Sequence, residues 1–424
     1  MTTDTSIYLH VPFCAHRCAY CDFNTYAGQE DSIPAYVDAL IREIEYIAAT
    51  RPSDHATIGT IFFGGGTPSL LSAPQLASVV DALRAAFSFR EAPNLEATIE
   101  ANPGTTSPEF LHEIRRAGIN RLSFGVQSAN PDELRMLERI HDFFDVVNSV
   151  KWARQAGFDN LNLDLIYGLP EQTMQTWQTT VKRIVGLHPE HISAYALTLE
   201  HGTPFGRWSA KGMLPLPDPD LAAEMYEWTD EFLSAHGYVQ YEISNWAKIK
   251  DEREKMKDED NSSLISHLSS FACRHNLQYW RNLPYLGLGA GAHGYANGVR
   301  YSNVLRIKTY IDRLTANSQQ LTANFPITPA TVNHHRLTSR EEMQETMLTG
   351  LRLVREGVSD AAFRGRFGMG IIEAFPKDVD ELIRLGLLEW VNKKISEVSE
   401  TSEVLRLTAR ARLVSNQVFV RFVD

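Results

Sequence analysis

Six short β-rich runs alternate with helical patterns through the first half of the chain, and that alternation leaves few architectures open. The runs cover residues 6–11, 59–63, 95–100, 121–126, 161–166 and 191–197. Between them, residues 35–48, 74–87, 108–117, 131–138 and 176–187 carry apolar side chains at helical spacing, several opened by Pro or Ser in the first turn. Repeated βα units predict an α/β fold with a parallel sheet. Six units fall short of the eight that close a barrel, so the expectation is a partial (β/α)6 barrel with an open side. Chemistry in such barrels sits at the carboxyl ends of the strands. The segments there are rich in Gly, Pro, Asn and charge: the Cys14 segment, 64–68, 100–103, Gln127, 164–170 and 198–200.

At 424 residues and 43% hydrophobic content, the chain has apolar mass for a smaller domain as well. The expected division is a barrel over 1–215, an extension over 216–325, and a C-terminal domain over 326–424. Within the extension, 248–270 is almost wholly charged and then Ser-rich, which reads as a solvated insertion. The last segment holds helical patterns at 341–354 and 379–388, then β-rich runs at 404–407 and 417–422, the order of a small winged-helix-like α+β domain. Its charge is near balance, which favours packing over DNA binding. A net charge of -11 argues against a general nucleic-acid binder. No apolar run reaches the roughly 18 residues of a membrane span, and the first residues have neither a basic start nor a long apolar core, so a cytoplasmic location is expected.

Three of the four cysteines, Cys14, Cys18 and Cys21, fall within eight residues just after the first predicted strand; Cys273 lies far away. Four thiols hardly staple a chain this long, and clustering suits metal binding. Three thiolates can hold a [4Fe-4S] cube and leave one iron open to another ligand. Zinc is the rival, with His10 or His16 as a fourth ligand, and idle thiols are the bland reading. Gly64, Gly65 and Gly66, followed by Thr67 and Pro68, end the second run, where missing side chains let a ligand approach the backbone; a tight turn explains them equally well. Glu100, Gln127, Arg139 and Asp164 add carboxylate, amide and guanidinium at or beyond later strand ends. Each alone reads as surface, except that a carboxylate among Leu161, Leu163, Leu165 and Ile166 is costly without a partner.

The C-x3-C-x2-C spacing with an aromatic residue, Tyr20, before its last cysteine resembles the radical-SAM superfamily. The resemblance implies that Cys14, Cys18 and Cys21 hold the cluster, that S-adenosylmethionine binds the open iron, and that a reductant's electron breaks the sulfonium bond to give a 5'-deoxyadenosyl radical. The segments YLHVPFC, FFGGGTPS, IEANP, SFGVQS, LDLIYGLP and LTARARLVSNQVF narrow this to the branch containing oxygen-independent coproporphyrinogen III dehydrogenase and the HemW haem chaperones. Similarity to the dehydrogenase implies that Tyr8, Gly65 and Glu100 serve the cluster-bound S-adenosylmethionine, and that Tyr20, Gly66, Thr67, Gln127, Arg139 and Asp164 reach a second molecule.

Two departures point away from the dehydrogenase. Phe23 stands where that enzyme has a further cysteine, and only 13 residues precede Cys14. His275, Asn276, Tyr279 and Trp280 fit the chaperone branch's H-N-x-x-Y-W motif, which implies haem binding with His275 as axial ligand and the aromatics against the macrocycle. Cys273 is a weaker ligand option. The expectation is therefore a haem chaperone that carries haem, a cluster and S-adenosylmethionine and passes haem to an acceptor protein. The dehydrogenase is the alternative, and a zinc or structural protein with a decayed site the third reading.

Overall fold

The computed structural model describes residues 4–51, 57–91, 94–249, 271–316, 325–394 and 401–423. Nearly all of the charged insertion expected at 248–270 lies outside them. The chain divides into two compact units, one of residues 1–226 with 284–336 and the other of 227–283 with 337–424. The division differs from the expected boundaries after 215 and 325 because the strand Tyr285–Leu288 returns to pair in parallel with the first strand of the chain.

In the first unit six strands alternate with helices as expected: β1 (Thr5–Val11), β2 (Ile58–Gly65), β3 (Glu96–Ala101), β4 (Arg121–Gln127), β5 (Leu161–Tyr167) and β6 (His191–Ala196). Neighbours in sequence are neighbours in the sheet and run parallel. The connecting helices are α1 (Ile33–Thr50), α2 (Ala73–Ala86), α3 (Pro108–Ala117), α4 (Pro131–Met136), α5 (Phe143–Gln155) and α6 (Met174–Val185). Their starts are written locally. Ser72 with Gln75, Asp142 with Asp145 and Thr173 with Thr176 form reciprocal caps, and Pro opens α2, α3 and α4 in the first turn.

The barrel stays open. On the outer side of β1 the sheet continues through β7 (Tyr285–Leu288), β8 (His293–Ala296), β9 (Val299–Asn303) and β10 (Thr331–Arg336), an antiparallel meander after its parallel first strand. Residues two apart share a strand face. Leu161, Leu163 and Leu165 thus occupy one face of β5, and Asn162 and Asp164 the other. That second face is polar through several strands: Ser6 bonds Thr60 at 2.7 Å, and Asn162 joins Ser123 and His191 at 2.7 and 2.6 Å. Buried polar groups persist because they satisfy one another.

The second unit holds its own apolar core, built on Met347, Leu351, Phe363, Ile371, Phe375, Leu382 and Leu405. From Leu337 onward the order is helix Ser339–Gly350, strand Val358–Ser359, helices Asp360–Phe367, Ile371–Ala374 and Pro376–Arg384, then strands Leu388–Lys394 and Thr401–Leu407. The three strands form an antiparallel sheet with Thr401–Leu407 at its centre. This is a winged-helix-like α+β domain, with one correction to the expected strands. Residues 417–422 are helical, in Ser415–Phe419 and the turn Val420–Phe422, and the partner of Thr401–Leu407 is Leu388–Lys394. Val418, Phe419 and Phe422 are the buried residues there, at helical rather than alternating spacing. No helix among the described residues is long and apolar enough to cross a membrane.

Candidate functional site

The carboxyl ends of β1 to β6 surround a cavity of about 560 Å³. Cys14, Cys18 and Cys21 line it, as do Tyr20, Gly65, Gly66, Thr67, Glu100, Gln127, Arg139 and Asp164. The fold therefore brings together eleven residues that lie as far as 150 positions apart. Tyr8 sits one layer below on β1, its hydroxyl 3.0 Å from His10 Nδ1. Phe23, 63% exposed, stands at the rim.

The cysteine loop is docked on the glycine turn by the backbone. Gly66 N–H donates to Val11 O at 2.8 Å and Thr67 N–H to Phe13 O at 2.7 Å. Side chains are excluded from this turn by contact: a Cβ on Gly66 would stand 2.5 Å from Phe13 O and 3.0 Å from Cys14 Sγ, and one on Gly65 would strike the His10 ring at 2.6 Å. Gly65 also has φ of 114°, open chiefly to glycine. Its N–H donates to Glu100 Oε2 at 3.0 Å.

Burial pushes the Cys14 and Cys21 thiols above their ordinary pKa, opposed at Cys14 by the Thr67 hydroxyl and at Cys21 by the Phe23 backbone N–H. Burial also raises Tyr20, while Arg139 beside it pulls the other way. Arg139 remains cationic despite its own desolvation because Tyr20 and Cys18 face it; Nη1 lies 3.6 Å from Cys18 Sγ and Nη2 donates to Gly125 O at 2.7 Å. Its buried Nε has no hydrogen-bond partner among the described residues.

A bulge in β4 pairs Gly125 with Asp164 and then Gln127 with Leu165, skipping Val126. It puts Gln127 at φ 66° and re-aims it at the cavity. The partners that the Asp164 carboxylate needs are Ser123, donating to Oδ2 at 2.8 Å, and Asn162, donating to Oδ1 at 2.8 Å. Ser123 and Asn162 were invisible as site residues in the sequence; their one signal is period-two polarity in otherwise apolar strands. His10, the fourth zinc ligand considered from the sequence, donates from Nε2 to Asn24 O at 2.9 Å and accepts at Nδ1 from the Tyr8 hydroxyl, so neither ring nitrogen is free for a metal. His16 faces Glu138 at 3.1 Å.

Burial first, and then the Asp164 charge, raise Glu100 from 4.5 to about 7. The folded chain thus keeps a proton that the unfolded chain releases between those values, and stability falls as pH rises through this window. Glu100→Gln should remove that slope. Relative to the parent it should gain ~1–2 kcal/mol at pH 8 over pH 4, since the cavity's solvent trims the full effect. Urea melts across that range check it; parallel stability curves for the two chains would refute the assignment.

Among the described residues no three His, Cys, Asp or Glu side chains are close enough to share one metal ion. The three thiols lining one wall suit an iron-sulfur cube, in which each thiolate binds a different iron and the fourth iron stays open. A closed structural zinc site asks for four converging ligands.

His275 belongs to the second unit. It lies in the helix Arg274–Trp280 and is 1% exposed, with Nε2 2.8 Å from the Tyr279 hydroxyl one turn on. Trp280 carries the Arg352 guanidinium over its ring at 4.4 Å, and Cys273 is fully buried. The motif residues therefore pack on their own unit in this structure.

An open six-strand βα barrel with three thiols after its first strand and a glycine turn after its second defines a radical SAM protein. The radical SAM superfamily model matches residues 8–184, and the HemN C-terminal domain model matches residues 337–396. The chain is 37% identical to the heme chaperone HemW of Bacillus subtilis over 420 residues, 99% of each chain. It is 39% identical to the heme chaperone HemW of Mycobacterium tuberculosis H37Rv over 357 residues, 84% of each. The chain belongs to the HemW family. Its fold is also that of coproporphyrinogen III oxidase (HemN) from Escherichia coli, with a TM-score of 0.77 and 24% identity over 99% of this chain and 90% of that one.

Proposed function

We propose that this protein is a haem chaperone that holds a [4Fe-4S] cluster on Cys14, Cys18 and Cys21, binds S-adenosylmethionine beside it, and passes haem to an acceptor protein in the cytoplasm. The observation that carries this reading is the cavity with three thiols on one wall and the Gly65–Glu100 pair on another, in a chain 37% identical along its length to a heme chaperone. Cys14, Cys18 and Cys21 would hold the cluster, which when bound and reduced by an external donor would supply the electron for cleaving the sulfonium.

The chain's own groups do the rest. Gly65 admits the nucleotide to the backbone, Glu100 offers a carboxylate to it, and Tyr8, behind them, supports the wall through His10. Tyr20, Gly66, Thr67, Gln127, Arg139 and Asp164 offer polar side chains and open backbone to a second nucleotide. The unpartnered Arg139 Nε is a donor that such a ligand would satisfy.

Haem ligation falls to His275. Its ring must first leave Tyr279 and gain access, so the haem-bound state differs locally from the one described. Titration of the reconstituted protein with haem should give an absorption band that His275→Ala shifts or abolishes. Tyr279→Phe should tighten binding about two- to tenfold by removing the competing hydrogen bond. An unchanged band in His275→Ala would take that ligand out of the proposal. Anaerobic incubation with coproporphyrinogen III, reductant and S-adenosylmethionine separates this reading from the dehydrogenase: vinyl-bearing product would reject the chaperone function.

A further inference from the structure

Thr25 carries a buried hydroxyl that completes no hydrogen bond among the described residues. The residue is 4% exposed and lines the cavity, with the unpaired Oγ1 held inside the cysteine loop. Such a group is costly unless a bound ligand completes it.

Both neighbours hold Thr25 in that orientation. The Asn24 side chain donates to Ala290 O at 3.1 Å and to Leu305 O at 3.0 Å, and the Asn24 carbonyl faces His10 Nε2 at 2.9 Å. On the other side Tyr26 N–H donates to Pro12 O at 2.8 Å and its hydroxyl to Leu305 O at 3.3 Å. The exit limb of the cysteine loop is thus fastened to β1 and to residues more than 260 positions downstream, and the hydroxyl between the fastenings is left over for the cavity. It lines the same cavity as the Cys14, Cys18 and Cys21 thiols. At Cys14 a second hydroxyl, Thr67 Oγ1, donates to Sγ at 3.7 Å.

We propose that Thr25 donates its hydroxyl proton to sulfur of the iron-sulfur centre held by Cys14, Cys18 and Cys21, and thereby sets the centre's reduction potential. The inference rests on the reading of the three cysteines given above. A hydrogen bond to cluster sulfur stabilises the more negative, reduced state, so the hydroxyl raises the potential.

The test is a redox titration of the anaerobically reconstituted full chain, followed by electron paramagnetic resonance in the absence of S-adenosylmethionine. Thr25→Val keeps the shape and removes the donor, Thr25→Ser keeps the donor, and Thr25→Ala is a second hydroxyl-free variant should valine disturb the loop. At a poise equal to the parent's midpoint, the reduced-to-oxidised ratio should fall roughly three- to tenfold in the Val and Ala variants and stay near the parent's in the Ser variant. Titration of Thr25→Val on the parent curve would overturn the proposal, as would an equal shift in Thr25→Ser. A parent chain that takes up no iron and sulfide removes the cysteine reading itself, whereas a normal parent cluster with an unmoved Thr25→Val removes Thr25 alone.

Discussion

Cys18→Ser should leave the anaerobically reconstituted chain with less than about one iron, against about four in the parent, while its far-ultraviolet circular dichroism should be unchanged. Cys18 is the informative choice because its replacement removes little else. The residue is half-buried, and the turn it belongs to is closed by the backbone, Cys21 N–H donating to Cys18 O at 3.1 Å. Serine preserves that turn and can still face Arg139, but its hydroxyl ionises far less readily than a thiol and is a poor iron ligand. Two remaining thiolates do not hold a cube. Cys273→Ser is the matched control: this thiol is fully buried at the start of the helix Arg274–Trp280, and its loss should leave iron and sulfide intact. Iron, acid-labile sulfide and the visible chromophore are the readouts. Full iron in Cys18→Ser, or zinc in the parent, would falsify the cluster assignment.

The largest loss of stability is expected at Glu43, a residue with no sequence signal at all. It is 0% exposed, and four donors converge on its carboxylate: Gly289 N–H at 2.8 Å and Tyr310 hydroxyl at 2.6 Å on Oε2, Asn303 Nδ2 at 2.8 Å and Thr328 hydroxyl at 2.9 Å on Oε1. Burial raises its pKa and the four hydrogen bonds pull against that rise. Glu43→Ala strands the donors in the core at a cost on the order of 3–5 kcal/mol.

Glu43→Gln should cost less, because its oxygen serves one pair and the Tyr310 or Thr328 hydroxyl can turn to accept from the new amide. Urea-melt midpoints of the three chains give the order. A Glu43→Ala chain as stable as the parent would show that water replaces the carboxylate. The effect reaches the cavity, since Tyr36 hydroxyl, beside this cluster, accepts from Ala290 N–H at 2.9 Å and donates to His10 O at 2.7 Å. Weakening the Gly289–Ala290 turn loosens the shelf on which Asn24 rests.

The βα alternation, the helix starts, the three thiols and the glycine turn were all legible before any coordinates, because each is a local requirement. Parallel strands need apolar runs and helical crossovers, helix ends need caps, and a ligand approached by backbone needs glycine. Gln127 and Arg139 were legible only through resemblance; what puts them in the cavity is a bulge after Gly125 and a short helix, α4, that returns the chain toward the barrel mouth. The strand misplaced at 417–422 shows the limit. Val418, Val420 and Phe422 alternate as in a strand, but packing against the core of the second unit buries Val418, Phe419 and Phe422 instead, the helical set.

By itself the sequence determined the class of barrel, the end of it where the cavity opens, and the three clustered thiols Cys14, Cys18 and Cys21 that line it. Only the tertiary structure decided which ordinary polar residues support that set. Residues 284–336 fold back beside β1, and Asn24 and Tyr26 can then donate to, and Tyr36 and Glu43 accept from, backbone groups some 250 positions away. Contacts of that span leave no periodicity in the chain, because each partner is chosen by its place in space and not by its place in a strand or a helix.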